Sequence, residues 1–191
     1  MGLFQQINEE SRKRELKFLV IGGLAVNMHG CSRDTADLDL LVRQQDRAEW
    51  MKLFSELGYT LIGEKSVFCQ YSPLDSGAWP VDLMFVNDET FGEFLKSGLP
   101  VEMFGERLLI PTLEHLIALK LHALKNGRIE RYLKDYLDVE GLVRANKIDL
   151  SQEKMRELFL KYGTLDVYEK ISRTSARQGV AAQRGSGDRK S

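Results

Sequence analysis

Residues 18–42 read FLVIGGLAVNMHGCSRDTADLDLLV, and their order decides the fold. Phe18–Ile21 is a short apolar run of the kind that forms a buried strand. Gly22 and Gly23 interrupt it, Leu24–His29 then reads as a short helix, and Gly30 suits a left-handed stop. Cys31–Thr35 reads as a loop and Asp37–Val42 as a second strand. Strand residues two apart point to the same face. Asp37 and Asp39 therefore project together, while Leu38 and Leu40 turn toward a core. Two carboxylates so close repel, and removing both from water is costly. A divalent cation resolves the conflict, and Mg2+ suits carboxylate oxygens while keeping positions open for phosphate.

Working outward, Asp82 interrupts the apolar run Val81–Val86, where a charge needs compensation. If that strand lies beside Asp37–Val42, three carboxylates converge, enough for two cations about 3.5–4 Å apart. An Asp-x-Asp pair alone commonly marks a solvated strand end; the diglycine upstream is what separates this case. Glycines at a strand-to-helix turn let the backbone approach a phosphate beside helix N–H donors. A plain tight turn is the alternative. The next glycine after the pair is Gly30, so this is not the Gly-x-Gly-x-x-Gly dinucleotide pattern.

The flanks complete an α/β half over residues 1–110. Residues 3–16 read as an amphipathic helix, and Gln44–Leu57 as a second, with Trp50, Leu53, Phe54 and Leu57 at helical spacing and Gly58 as its end. Thr60–Ile62 and Val67–Tyr71 read as hairpin strands, Asp88–Lys96 as a helix, and Val101–Phe104 with Arg107–Ile110 as another hairpin. After Pro111 the pattern becomes all-helical to about residue 170. Helices are expected from Thr112 to Gly127, over Arg128–Ala145, and over Ser151–Tyr162 with Ser151 as cap. Residues 171–191 lack periodic apolar side chains and read as a disordered tail. The fold class is α+β: a small mixed sheet with flanking helices, followed by a helical region.

Composition narrows the function. The chain has 191 residues, 43% hydrophobic and 29% charged, as expected of a globular protein with a buried core. No apolar stretch nears the roughly 20 residues of a membrane helix, and the polar start does not read as a signal peptide. A cytoplasmic protein with no membrane partner is expected. Net charge is −1, yet the last twenty residues hold five cations and one acid, so the body is acidic. An acidic body does not favour nonspecific nucleic-acid binding and suits a carboxylate metal site. Cys31 and Cys69 are too few for a disulfide framework, and His29, His115 and His122 are too scattered for zinc.

The stretch 18–42 resembles the motif of the DNA polymerase beta-like nucleotidyltransferase superfamily: strand, Gly-Gly, helix, then Asp-x-Asp on the next strand. Asp82 in WPVDLMFV fits the third family acid. The form Arg33-x-Thr35-x-Asp37-x-Asp39 is most similar to the AbiEii-type bacterial branch, which includes toxins of toxin–antitoxin and phage-defence pairs. Lys120, and Lys134-Asp135 with Asp138, resemble that branch's helical motifs. The resemblance covers about residues 15–145. The chain is shorter than many AbiEii-type toxins and ends differently.

What the resemblance implies is transfer of a nucleotide from an NTP to a hydroxyl acceptor on RNA (tRNA included), protein or a small molecule. Asp37, Asp39 and Asp82 would be the catalytic metal ligands for two Mg2+, with Mn2+ a substitute. Gly22, Gly23, Arg33, Thr35, Lys120, Lys134 and Asp135 would bind the nucleotide, and an antitoxin would be the partner. Read without the resemblance, Lys120 is a lysine snorkelling from an amphipathic helix, and Lys134-Asp135 a solvated pair. A non-catalytic nucleotide-binding or interaction module on the same fold is the alternative.

Overall fold

The computed structural model describes residues 2–75, 77–127 and 129–185, without the side chains of Glu130 and 176–185. The chain divides into two compact units: Met1–Met28 with Ser32–Thr112, and His29–Cys31 with Leu113–Ser191. Among the described residues no helix is long and apolar enough to cross a membrane.

The first unit is built on five strands: β1 (Phe18–Val20), β2 (Leu38–Arg43), β3 (Tyr59–Lys65), β4 (Phe68–Pro73) and β5 (Val81–Val86). Their order across the sheet is β1-β2-β5-β4-β3. The sheet is mixed, because β2 and β5 run parallel while the other neighbours run antiparallel. The β3–β4 hairpin is longer than its apolar cores suggest, since ladder pairing continues into Glu64, Lys65, Ser72 and Pro73.

Period-two alternation sorts the side chains. Leu38, Leu40, Val81, Leu83, Cys69 and Tyr71 line one buried face in register. Helix α3 (Arg47–Glu56) covers it, with Phe54 stacked on Tyr71 at 5.1 Å and Trp50 edge-on to Phe18 at 5.8 Å. A 3-10 turn over Gln44–Asp46 takes the start of the expected longer helix. Burying such aromatics contributes roughly 1.5–3 kcal/mol each. The opposite face carries Asp39, Asp82 and Gln70 on one cross-strand line. Beside that line Leu41 is fully buried, and helix α4 (Asp88–Ser97), capped by Asn87 Oδ1 accepting from Thr90 N–H, packs against β1 and β2. Helices α1 (Leu3–Lys13) and α2 (Gly22–Met28) and the hairpin β6 (Leu99–Met103)–β7 (Glu106–Ile110) complete the unit.

The second unit holds α5 (Leu113–Asn126), α6 (Ile129–Ala145), α7 (Glu153–Tyr162) and α8 (Leu165–Gly185). Leu116, Ile117, Leu121, Val139, Leu142, Val143, Phe159 and Ile171 are buried in it. The His29–Cys31 segment belongs here: Asn146 Nδ2 donates to the His29 carbonyl at 2.9 Å, and a Cβ at Gly141 would overlap Cys31 Sγ.

Two further expectations change. Ser151 does not cap α7, which starts after Gln152; its hydroxyl and N–H both bond to Asp149 Oδ1, at 2.7 and 2.9 Å. Aspartate two residues back offers a local turn that outcompetes the capping role. The segment from 171, expected to be disordered, is helical to Gly185 as the end of α8. Val167 and Ile171 anchor its first turns in the core, and the following Ala, Arg and Gln residues favour helix without needing an apolar stripe. Residues 186–191 of the expected tail lie outside the described residues.

Candidate active site

The parallel register of β2 and β5 sets Asp39 directly beside Asp82. Asp37 sits just before β2, at its entry. One carboxylate oxygen from each of Asp37, Asp39 and Asp82 lies within 4.8 Å of the other two. Asp39 and Asp82 are each 7% exposed, and Asp37 is half-buried. The bond from Leu38 N–H to the Pro80 carbonyl, 2.9 Å, aligns the starts of the two strands and so the depth of the acids.

Neutral donors hold two of the three. Thr35 Oγ1 donates to Asp37 Oδ1 at 2.7 Å, and Gln70 Nε2 donates to Asp82 Oδ1 at 3.4 Å. The loop carrying Thr35 is fixed by Asn27 on α2. Its Oδ1 accepts from Arg33 N–H at 2.8 Å, and its Nδ2 donates to the Arg33 carbonyl at 3.0 Å.

The diglycine is explained by crowding within the protein. Gly22 has φ +62°, a left-handed conformation open to glycine, and a Cβ there would overlap the Asp39 carboxylate. A Cβ on Gly23 would come within 2.6 Å of both Arg33 Nη2 and Thr35 Oγ1. Gly22, Gly23, Arg33, Thr35, Asp37, Asp39 and Asp82 thus form one continuous site in the first unit. Asn27 and Gln70 also belong to it. Sequence reasoning missed both, because an amide on a short helix or an alternating strand looks like any solvent-facing polar residue.

The donor set fits a divalent cation. It consists of hard oxygens, which Mg2+ takes at about 2.0–2.1 Å, so a single octahedral shell spans about 4.2 Å across. A spread of up to 4.8 Å is met by a small side-chain closure around one ion or by sharing among two.

The remaining expected residues lie in the helical unit. Lys120, on α5, sends Nζ to Asp135 Oδ1 at 2.9 Å and to Asp138 Oδ2 at 2.8 Å, both on α6. The three are 6%, 3% and 2% exposed. Burial acts most strongly on Lys120 and opposes its charge, but the two carboxylates overcome it and hold the ammonium above the usual lysine range. Lys120 is therefore no snorkelling surface lysine; it is the cation of a buried triad. Lys134, next to Asp135 in sequence, is half-buried on α6.

The strand order, the acids on β2 and β5 and the helical second unit define the α+β nucleotidyltransferase fold. Its sequence matches no protein-family model and no curated protein. Solved structures sharing the fold include ANT(2'')-Ia in complex with adenylyl-2''-tobramycin, which is 17% identical with a TM-score of 0.60, over 84% of this chain and 94% of that one. The solution structure of the antibiotic-resistance factor ANT(2'')-Ia is 16% identical, TM-score 0.55, over 96% and 94% of the two chains. The lincosamide antibiotic adenylyltransferase LnuA, lincomycin-bound, is 12% identical, TM-score 0.51, over 73% and 93%. At these identities the likeness establishes the fold.

Proposed function

We propose that this protein is a metal-dependent nucleotidyltransferase that moves a nucleoside monophosphate from an NTP to a hydroxyl acceptor. The observation that carries the reading is the meeting of Asp37, Asp39 and Asp82 oxygens within 4.8 Å beside the left-handed Gly22. These carboxylates would hold divalent cations, Mg2+ with Mn2+ as substitute and two ions in all. When bound, such ions neutralise phosphate charge and lower the pKa of a coordinated hydroxyl.

The chain's own residues do the positioning. The turn at Gly22 and Gly23 and the start of α2 receive the triphosphate, with Arg33 and Thr35 against the glycines. Asp82 accepts the proton of the acceptor hydroxyl, whose oxygen forms a bond to the α-phosphorus as the bond to the β-phosphate oxygen breaks. Pyrophosphate leaves, and the proton passes to solvent. The resemblance also assigns Lys120, Lys134 and Asp135 of the helical unit to the nucleotide; because Lys120 is engaged by Asp135 and Asp138, which ties α5 to α6, Lys134 is the one of the three that we keep in that role.

Two readings of the acceptor follow from different observations. The overlap with 94% of the ANT(2'')-Ia chain and 93% of the LnuA chain supports a small molecule. The Arg33-Thr35-Asp37-Asp39 form and the Lys134-Asp135-x-x-Asp138 helix support the AbiEii-type branch, hence a cytoplasmic toxin with an RNA or protein acceptor and an antitoxin partner. Incubation with each α-labelled NTP, Mg2+, total RNA, a protein extract and a metabolite extract tests both. Label in RNA or protein favours the toxin, and label in a small molecule favours the alternative. Loss of label in Asp39→Asn is expected in either case. NTP binding with no labelled acceptor and no effect of Asp39→Asn would instead favour a non-catalytic module.

A further inference from the structure

The cross-strand line that holds the acids does not stop at Asp82. It continues through Gln70 on β4 to Gly63 on β3, each residue paired in register with the next. Gln70 Nε2 reaches Asp82 Oδ1 at 3.4 Å. On its other side, a Cβ on Gly63 would come within 3.0 Å of Gln70 Oε1. The ladder shifts register between Leu61 and Gly63, immediately beside this contact. Such irregularities re-aim side chains and recur beside active sites. Gly63 therefore leaves the space into which the Gln70 amide oxygen turns, and that turn points the amide nitrogen at Asp82.

We propose that Gln70 is a positioning residue that fixes the Asp82 carboxylate for divalent-cation binding, and that Gly63 is the space that lets it do so. The proposal rests on the reading of Asp82 as a cation ligand. A carboxylate oxygen has two lone-pair sites, so Oδ1 accepts the amide bond without losing capacity for an ion. Holding one oxygen also removes the rotational freedom that cation binding would otherwise have to quench. Partners that orient a ligand in this way typically matter about 10–100-fold in metal affinity or activity.

The test is Mn2+ titration of the full chain in the presence of α,β-methylene ATP, followed by calorimetry, so no acceptor need be known. Gln70→Ala is expected to weaken Mn2+ about tenfold, with the melting temperature unchanged. Gly63→Ala should weaken it less, by about two- to fivefold, because a flexible amide can partly retreat. The double variant should bind no worse than Gln70→Ala alone, since both changes act through one bond. A merely structural role would instead lower the melting temperature of both variants and leave Mn2+ affinity at the wild-type value. Asp82→Asn separates the two layers. If it binds Mn2+ like wild type, the metal-site reading fails, and this inference with it. If Asp82→Asn loses Mn2+ while Gln70→Ala matches wild type, only the role of Gln70 is overturned.

Discussion

Two clusters of carboxylates, one in each unit, handle charge in different ways. In the helical unit Asp135 and Asp138 close on the Lys120 ammonium at 2.9 and 2.8 Å, so their counter-charge is covalently part of the fold. In the α/β unit three carboxylates approach one another to within 4.8 Å, with a threonine hydroxyl and a glutamine amide bonded to two of them. A lysine locked between helices is a permanent tie. Hard oxygens gathered at the mouth of two strands, beside a glycine turn, form a set that an exchangeable cation fits. Similar groups thus serve architecture in one unit and, on the proposed function, chemistry in the other.

Removing one charged side chain from each cluster should separate the two roles. Asp39→Asn should cut nucleotide transfer by about a hundredfold or more while the protein still melts cooperatively as a folded chain. Transfer assays with α-labelled NTP and a melting curve read both halves. Lys120→Met should do the reverse. Stranding two buried carboxylates costs about 3–5 kcal/mol of unfolding free energy, measured by denaturant titration. Replacing Lys120, Asp135 and Asp138 together with apolar residues should recover most of that loss.

Next in size is Gly22→Ala, which both forces a left-handed backbone on alanine and drives a Cβ into the Asp39 carboxylate. It is expected to cost about 1–3 kcal/mol of stability and to lower Mn2+ affinity as well, measured by melting and calorimetry. The smallest effect is in pH. Burial acts most strongly on Lys120 and lowers its pKa, but Asp135 and then Asp138 together outweigh it and raise the folded value above the unfolded one near 10.5. The stabilisation from that shift is fully present below the ordinary lysine range and fades as pH rises through the higher folded value. The stability gap between wild type and Lys120→Met should stay constant from pH 7 to 9 and narrow only above about pH 10.5.

Much of the first unit is legible in the chain itself. Alternation puts Asp37 and Asp39 on one side and Leu38 and Leu40 on the other, and the apolar run around Asp82 marks a strand holding an acid that needs an explanation. What periodicity does not carry is adjacency. β5 pairs with β2 across two intervening strands, so the third acid joins the first two through a long-range contact that only tertiary structure fixes. Gln70 and Asn27 stay hidden for the same reason, since their significance lies in what they face. In the second unit, Lys120, Asp135 and Asp138 stand out by type and spacing, yet spacing does not say that they turn toward each other. The start of α7 and the length of α8 depart from capping and apolar patterning because a local aspartate turn and plain helix propensity prevail there.

A crystal of the full chain soaked with Mn2+ and α,β-methylene ATP, with data collected at the manganese edge, would show whether the three acids hold the ions. Anomalous peaks are expected bonded to oxygens of Asp37, Asp39 and Asp82, with the triphosphate running to the Gly22 turn. Saturating Mn2+ with no peak between these three acids, or nucleotide bound away from that turn, would contradict the proposed site.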